Sequence, residues 1–337
     1  MWYFLSHHMP KDGYGYAGLK ILDALAELGA PVEPIDMLDE SERFTTAGTR
    51  TWHVPGPAMA LCVPDWWPDI KPRGDLVGYT MFESTRMPAH RVSCINGTVE
   101  VCLVPSTWCA ETFRANGVRP NVRVVPLGID PGEYWPLTRR RDGSQPYRFL
   151  WNGTPDWRKG WDLVYKAFWL AFQGSPDVEL VMHFRVLPKQ LAGCDDKNVR
   201  LVEGLLERPA LRQMYRDADC FLFPSRGEGW GLPPREAAAT GLPAIATDYG
   251  GLAEEIEHWG LPLMVAREVP AEFGGWASGS IGEWAEPDLG HLVELMRWCA
   301  ENREAAARRG MEAADWLAAH GTWARTAREI MEVMEGC

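Results

Sequence analysis

Short apolar runs alternate with stretches of helical period along most of this chain. Trp2–Leu5 reads as a strand. After a glycine-containing loop, Leu19, Leu22 and Leu25 fall on one face of a helix over Ala17–Leu28, and Gly29 supplies a stop. Further strands are expected at Ala58–Val63, Leu76–Met81, Val99–Val104 and Val122–Val125. From Gly128 to Pro146 the periodicity gives way to turn residues and charges, which read as an inter-domain linker. The alternation then restarts with strand Arg148–Trp151, helix Trp161–Phe172, strand Val178–His183, helix Pro209–Arg216 and strand Cys220–Phe223. A helix from Pro233, a strand at Ala244–Thr247 and a helix from Leu252 follow. The tail from Asp288 reads as helical, broken at Gly310 and Gly321. Strands that alternate with helices build parallel sheets, so two consecutive α/β halves are expected.

Composition narrows the classes. With 337 residues and 46% hydrophobic positions, the chain has core enough for two domains. No apolar run approaches the roughly 18 residues that span a bilayer. The N-terminus lacks the cationic and apolar regions of a signal peptide. A cytoplasmic protein without a transmembrane segment is the expectation. A net charge of −12 argues against broad nucleic-acid binding. Only 7 of the 34 basic residues are Lys, which leaves few candidates for Schiff-base chemistry. The 8 cysteines include no C-x-x-C pair, and Cys62, Cys102 and Cys220 lie in apolar runs. They read as reduced core thiols.

The strongest local signal runs from Phe223 to Pro243. A strand ends at Pro224, a glycine-rich loop follows, and Pro233 and Pro234 suit the first turn of a helix. Unpaired N–H groups and the positive end of the helix dipole then face the crevice beyond the strand, a seat for phosphate or sugar. Glu228 in the loop and Glu236 in the first helical turn can both face that seat, and carboxylates accept hydrogen bonds from vicinal diols. A tight strand-to-helix turn, with Glu236 merely complementing the dipole, explains the same residues equally well.

A second signal is Asn152–Asp162, just past the strand end at Trp151, where open α/β sheets bind ligands. Arg158 and Lys159 could clamp a diphosphate there. At about 4 Å and an effective dielectric near 20, each charge pair gains roughly 4 kcal/mol. A solvated helix start is the plainer reading of an isolated Arg-Lys. The third signal is Gly13, Gly15 and Gly18 in G-x-G-x-x-G spacing, with Asp36 placed like a ribose-binding acid. The loop from Ser6 to Asp12 is longer than a tight dinucleotide turn, so a flexible glycine loop remains open.

Other candidates carry less. Asp217-Ala-Asp219 is a formal D-x-D, but it falls at a helix-to-strand junction with Ala218 expected to be buried. His7 and His8 are neighbours on an extended segment and point apart, and no second His/Cys cluster completes a metal site. Most of the 17 Trp are expected in the core, and Arg139–Arg141 reads as a solvated linker.

Taken together, the segments resemble the GT-B glycosyltransferases of family 4. Val104–Trp108, Val125–Asp130, Arg158–Gly160, Val202–Gly204, the Asp219–Gly241 block and Ala246–Leu252 occur in that family's order, and Glu228 and Glu236 stand in its Glu-x7-Glu spacing. The resemblance implies two Rossmann-like domains with parallel sheets facing a cleft. Residues 1–135 would form the acceptor side and 136–321 the donor side, with a final helix within 322–337 crossing back. It implies that Arg158 and Lys159 neutralise the donor diphosphate, Glu236 binds ribose and Glu228 meets the donor sugar. The amides of Gly229, Trp230, Gly231 and Leu232 would hold sugar and phosphate, with Gly153 beside them. Gly204 and Leu205 would flank the base, and Gly13 and Gly15 would approach the diphosphate. Where many members carry a histidine after the fourth strand, this chain has Tyr79–Arg86, and Glu83 is the nearest polar substitute.

The implied reaction is transfer of a sugar, with retention, from a nucleotide sugar (UDP-, GDP- or ADP-linked) to a hydroxyl acceptor. No residue declares itself a nucleophile for double displacement. A front-face substitution, in which the departing phosphate oxygen takes the acceptor proton, needs mainly positioning and charge neutralisation. No cofactor or metal is expected. The acceptor would be a small molecule or saccharide; hydroxymethylated pyrimidines in DNA are disfavoured by the net charge. An NAD-dependent oxidoreductase using Gly13, Gly15, Gly18 and Asp36 would leave the Glu228–Glu236 block unexplained. A nucleotide-sugar epimerase and a non-catalytic carbohydrate-binding relic are further readings.

Overall fold

The computed structural model of the protein describes residues 1–9, 12–39, 44–46, 49–138, 145–274 and 279–336. Arg139–Arg141 and Cys337 lie outside them. The chain forms two compact units. One comprises Met1–Gly128, Ala271–Glu283 and Gly321–Cys337, and the other Ile129–Pro270 and Trp284–His320.

In the first unit the strands are β1 (Trp2–Ser6), β2 (Val32–Asp36), β3 (Phe44–Thr46), β4 (Thr49–Val54), β5 (Ala58–Leu61), β6 (Ile70–Pro72), β7 (Leu76–Tyr79), β8 (Val101–Val104) and β9 (Asn121–Val124). Six of them form one sheet in the order β2-β1-β5-β7-β8-β9, parallel throughout. The strands β5 and β7 are buried at every position, as befits a parallel sheet covered on both faces. Helix α1 (Gly13–Glu27) starts four residues before the expected Ala17, because Asp12 caps it by accepting from the Gly15 amide at 2.9 Å. Its buried face is Ala17, Ile21, Ala24 and Leu25, so the stripe through Leu19 and Leu22 is corrected. Helices α2 (Ala89–Thr98) and α3 (Thr107–Ala115) were not legible as helical periods.

Two later segments complete this unit. Phe273 stacks on Phe82 with ring centroids 5.3 Å apart, and Ser84 Oγ donates to the Ile281 carbonyl at 2.7 Å. Helix α10 (Trp323–Met334) buries Trp323, Thr326, Ala327, Ile330, Val333 and Met334, packs on α1, and donates from Thr326 Oγ1 to the Pro126 carbonyl at 2.7 Å.

The second unit runs β10 (Tyr147–Gly153), α4 (Trp161–Phe172), β11 (Val178–Phe184), β12 (Val199–Glu203), α5 (Arg208–Asp217), β13 (Cys220–Phe223), α6 (Leu232–Ala239), β14 (Ala244–Thr247), α7 (Ile256–Trp259) and β15 (Leu261–Leu263). A hairpin follows, β16 (Val265–Glu272) and β17 (Ser280–Pro287), then α8 (Leu289–Glu301) and α9 (Arg303–His320). The sheet order is β12-β11-β10-β13-β14-β15, all parallel. Successive strands run outward one way from β10 and then the other way from β13. The switch point therefore lies between these two, and ligands of such sheets bind beyond the strand ends at that point.

Three expectations change here. The linker begins inside the second unit, where Ile129 and Tyr134 join its core and Leu137 is also buried. Residues after Gly250 form a 3-10 turn (Gly250–Leu252) before the short α7, in place of one helix from Leu252. Gly310 does not break a helix but sits within α9, where a Cβ would collide with the Gly241 carbonyl.

Candidate active site

The two loops flanking the switch point converge. After Gly153, Asp156 caps a 3-10 turn, Trp157–Lys159, by accepting from the Arg158 amide at 2.9 Å. Gly160 closes that turn at φ 69°, and a Cβ there would overlap the Pro224 carbonyl oxygen. The turn thus presses on the segment after β13. The Arg158 carbonyl accepts from the Arg226 amide at 2.7 Å and from Ser225 Oγ at 3.0 Å.

The sequence placed Arg158, Lys159 and Glu228 some 70 positions apart, and the fold brings them together. Lys159 Nζ lies 2.6 Å and Arg158 Nη1 3.1 Å from Glu228 Oε1, to which Ser225 Oγ donates at 2.8 Å. Arg158 also donates to the Gly227 carbonyl at 2.6 Å. Burial alone would raise the Glu228 carboxyl. The Lys159 and Arg158 cations and the hydrogen bonds from Lys159 and Ser225 outweigh it and hold the group at about 2. Two cations attend one buried carboxylate, an arrangement suited to receive further negative charge.

Glu236 is the fifth residue of α6, one turn deeper than the expected first turn. It accepts from Arg208 Nη1 at 3.0 Å, and the same nitrogen reaches the Tyr134 hydroxyl at 2.8 Å. Burial raises its carboxyl above the ordinary value, against the pull of Arg208. Tyr215, tilted against Tyr134, accepts at its hydroxyl from Asn152 Nδ2 at 3.2 Å. At the neighbouring strand ends, Gly204 (φ 120°) bonds His183 Nε2 through its carbonyl at 2.8 Å, and Leu205 is exposed. Burial lowers the His183 imidazole.

Gly231 caps α6 at φ 88°, and the turn Glu228–Leu232 rests on Gly250–Leu252, with the Gly251 amide donating to the Glu228 carbonyl at 2.8 Å. Trp230 is buried against Arg235. Arg226, 1% exposed, grips both Asp162 oxygens at 2.9 and 2.8 Å and Glu286 at 2.5 Å. Sequence reasoning missed Arg208, Arg226, Arg235, Tyr134 and Tyr215. Of these, only Arg226 and Arg235 lie inside the block from Phe223 to Pro243, and neither was singled out there.

Gly13, Gly15 and Glu83 belong to the first unit. The glycine motif lies in the opening turns of α1, not in a flexible loop, and Gly15 and Gly18 allow close approach of Met9 and Ser6. The Tyr14 hydroxyl lies 3.0 Å from Thr80 Oγ1, and burial raises it, with Glu83 adding to the effect. The Asp36 carboxylate accepts from the His8 and Leu38 amides at 3.2 and 3.0 Å, a structural role that weakens the dinucleotide reading. His7 approaches Asp12 and His8 approaches Asp36. Asp219 accepts from the Arg148 amide at 2.7 Å beside the buried Ala218, so the D-x-D is a junction. Among the described residues no three His, Cys, Asp or Glu side chains group as metal ligands, and no helix is long and apolar enough to cross a membrane.

This architecture is that of the GT-B glycosyltransferases. Sucrose-phosphate synthase from Thermosynechococcus elongatus matches with a TM-score of 0.73 over 99% of this chain and 98% of that one, at 15% identity. Anabaena HepE, solved with UDP and glucose, matches with a TM-score of 0.67 over 100% and 99% of the two chains, at 14% identity. Residues 146–275 match the family described as Glycosyl transferases group 1. The D-inositol 3-phosphate glycosyltransferase of Pseudarthrobacter chlorophenolicus is 28% identical over 229 residues, 61% of this chain and 53% of that protein. Mannosylfructose-phosphate synthase of Agrobacterium fabrum is 26% identical over 165 residues, 42% of this chain and 35% of that protein. The chain spans about half or less of the length of these curated relatives.

Proposed function

We propose that the protein is a retaining glycosyltransferase that moves a sugar from a nucleotide-sugar donor to a hydroxyl acceptor. The observation that carries this reading is the meeting of Arg158 and Lys159 on Glu228 at the switch point of the second sheet. Arg158 and Lys159 neutralise the diphosphate as it departs, and the Gly229–Leu232 amides hold its oxygens and the sugar. Glu236, kept in place by Arg208, accepts from the ribose hydroxyls. Glu228 orients the cations and meets the sugar, while Gly204 and Leu205 flank the base. Gly153, Gly13, Gly15 and Glu83 complete the proposed set, the last on the acceptor side.

The acceptor hydroxyl attacks the anomeric carbon from the face the phosphate leaves, and its proton passes to the departing phosphate oxygen. Charge neutralisation by side chains and amides, with no metal or cofactor, suffices for this step. A cytoplasmic setting fits the described cysteines, which are free thiols, with Cys220 and Cys299 sulfurs 4.0 Å apart.

The test is a panel of UDP-, GDP- and ADP-sugars, first by thermal shift and then by product analysis with small hydroxyl compounds, saccharides and hydroxymethylated DNA. Binding of one nucleotide sugar, followed by transfer with retained anomeric configuration, is expected. A protein that binds none of them, or that inverts the anomer, overturns the proposal. Product formed from donor alone would mean epimerisation, and binding of NADH in its place would restore the oxidoreductase reading.

A further inference from the structure

We infer that Arg235 is a positioning residue for the donor: its guanidinium draws two successive carbonyls of the glycine turn inward and so aims the following amides at the sugar diphosphate. The inference rests on the transferase reading. Arg235 is 2% exposed and lies between two indoles, with its guanidinium carbon 3.8 Å from the Trp230 ring centroid and 4.4 Å from that of Trp259. Nη1 donates to the Trp230 carbonyl and to the Gly231 carbonyl at 3.3 Å. Nη2 donates to the carbonyls of Gly251 at 2.9 Å and Glu254 at 3.2 Å.

The consequence follows from peptide geometry. In a planar trans peptide the C=O of one residue and the N–H of the next point in opposite directions. Holding the Trp230 and Gly231 carbonyls toward Arg235 therefore turns the N–H groups of Gly231 and Leu232 away from it. These two amides open α6, where N–H groups have no partner within the helix and attract anions. Gly231 at φ 88° allows the chain to make this turn. The same guanidinium ties the turn to Gly251 and Glu254, so the turn cannot drift from its neighbour.

A lysine cannot do this. Its ammonium is a point charge, whereas the arginine fork is planar, stacks on rings and reaches carbonyls on two sides at once. Arg235→Lys keeps the charge and loses the fork, and it discriminates orientation from electrostatics.

The experiment measures kcat and donor KM for wild type, Arg235→Lys and Trp259→Phe with a nucleotide sugar that wild type turns over, below each melting temperature. Trp259→Phe keeps a ring face but loses the bond from Nε1 to the Glu254 carbonyl at 2.8 Å. Arg235→Lys is expected to lose on the order of 10²-fold in kcat, as for a misplaced oxyanion-type donor, with donor KM within about threefold of wild type. Trp259→Phe should show a smaller loss, again in kcat. Methylguanidinium added to Arg235→Ala should recover part of the lost kcat. Arg235→Lys with wild-type kcat, a loss confined to KM, or methylguanidinium that restores the melting temperature of Arg235→Ala without its kcat overturns the inference. So does wild-type kcat in Trp259→Phe should the arginine variants fail to fold. Wild type that binds no nucleotide sugar sinks the transferase reading instead, and the two failures are thereby distinct.

Discussion

At Glu228, two cations and one hydroxyl converge on a single carboxylate oxygen, and this sets what each partner can be expected to do alone. Arg158→Ala leaves the carboxylate paired with Lys159 and Ser225, so the fold should stand. Turnover should fall on the order of 10²–10³-fold for want of one charge-neutralising donor, and steady-state kcat measured beside the melting temperature checks both halves. Glu236→Ala should instead raise donor KM, because a ribose contact made equally in ground and transition states is uniform binding. An unchanged KM removes the ribose role. The Glu228 carboxyl, held at about 2 against an ordinary 4.5, contributes stability that is present above pH 4.5 and lost as pH falls toward 2. The difference corresponds to roughly 3 kcal/mol. Urea unfolding between pH 6 and pH 3 should show wild type losing stability faster than Glu228→Gln, and parallel curves would refute the assignment. The cation pair and both glutamates were legible because they sit in contiguous motifs beside strand ends. Arg235 and Arg208 were not: one is satisfied by main-chain carbonyls, the other by residues of two other segments, and neither relation leaves a spacing in sequence.

Among the elements, strands buried on both faces announced themselves as continuous apolar runs, which is why β13 and β14 are found where the sequence reading put them. The edge strand β2, Val-Glu-Pro-Ile-Asp, has two exposed positions and carried no such run. Gly310 misled for a different reason. A glycine within a helical period reads as a break worth about 1 kcal/mol relative to Ala, but here its bare Cα lets α9 lie against the Gly241–Pro243 backbone that follows α6. Gly310→Ala thus gains helix propensity and loses fit. Overpacking against main chain costs about 1–3 kcal/mol, so the variant should melt below wild type. Its kcat at a temperature where it is folded should match wild type, since the atoms nearest a Cβ at Gly310 belong to the Gly241–Pro243 backbone and not to the proposed donor residues. A melting point at or above wild type would show that the α6–α9 contact can relax.

On the scale of the whole molecule, the chain leaves the first unit at Gly128 and returns to it twice, at Ala271–Glu283 and Gly321–Cys337. The first return was not legible, since a hairpin of mixed burial such as β16–β17 resembles any exposed loop until its partners Phe82 and Ser84 are known. The second return decides stability. Trp323, Ile330, Val333 and Met334 are all buried on α10. At about 1.5–3 kcal/mol for each large side chain removed from water, their loss approaches the roughly 5–15 kcal/mol that holds a domain folded. A chain ending at His320 should therefore lose the first unit while keeping the second, because among the described residues the core clusters of the second unit contain none from α10. Limited proteolysis should trim such a chain to a resistant fragment within 129–320. That fragment should bind the nucleoside diphosphate of the donor within about tenfold of the full chain's affinity, a penalty of about 1.4 kcal/mol, and transfer no sugar. Every charged group assigned here to the diphosphate and ribose stands in the second unit, so a fragment that folds but binds no nucleoside diphosphate would place the donor site elsewhere in the chain.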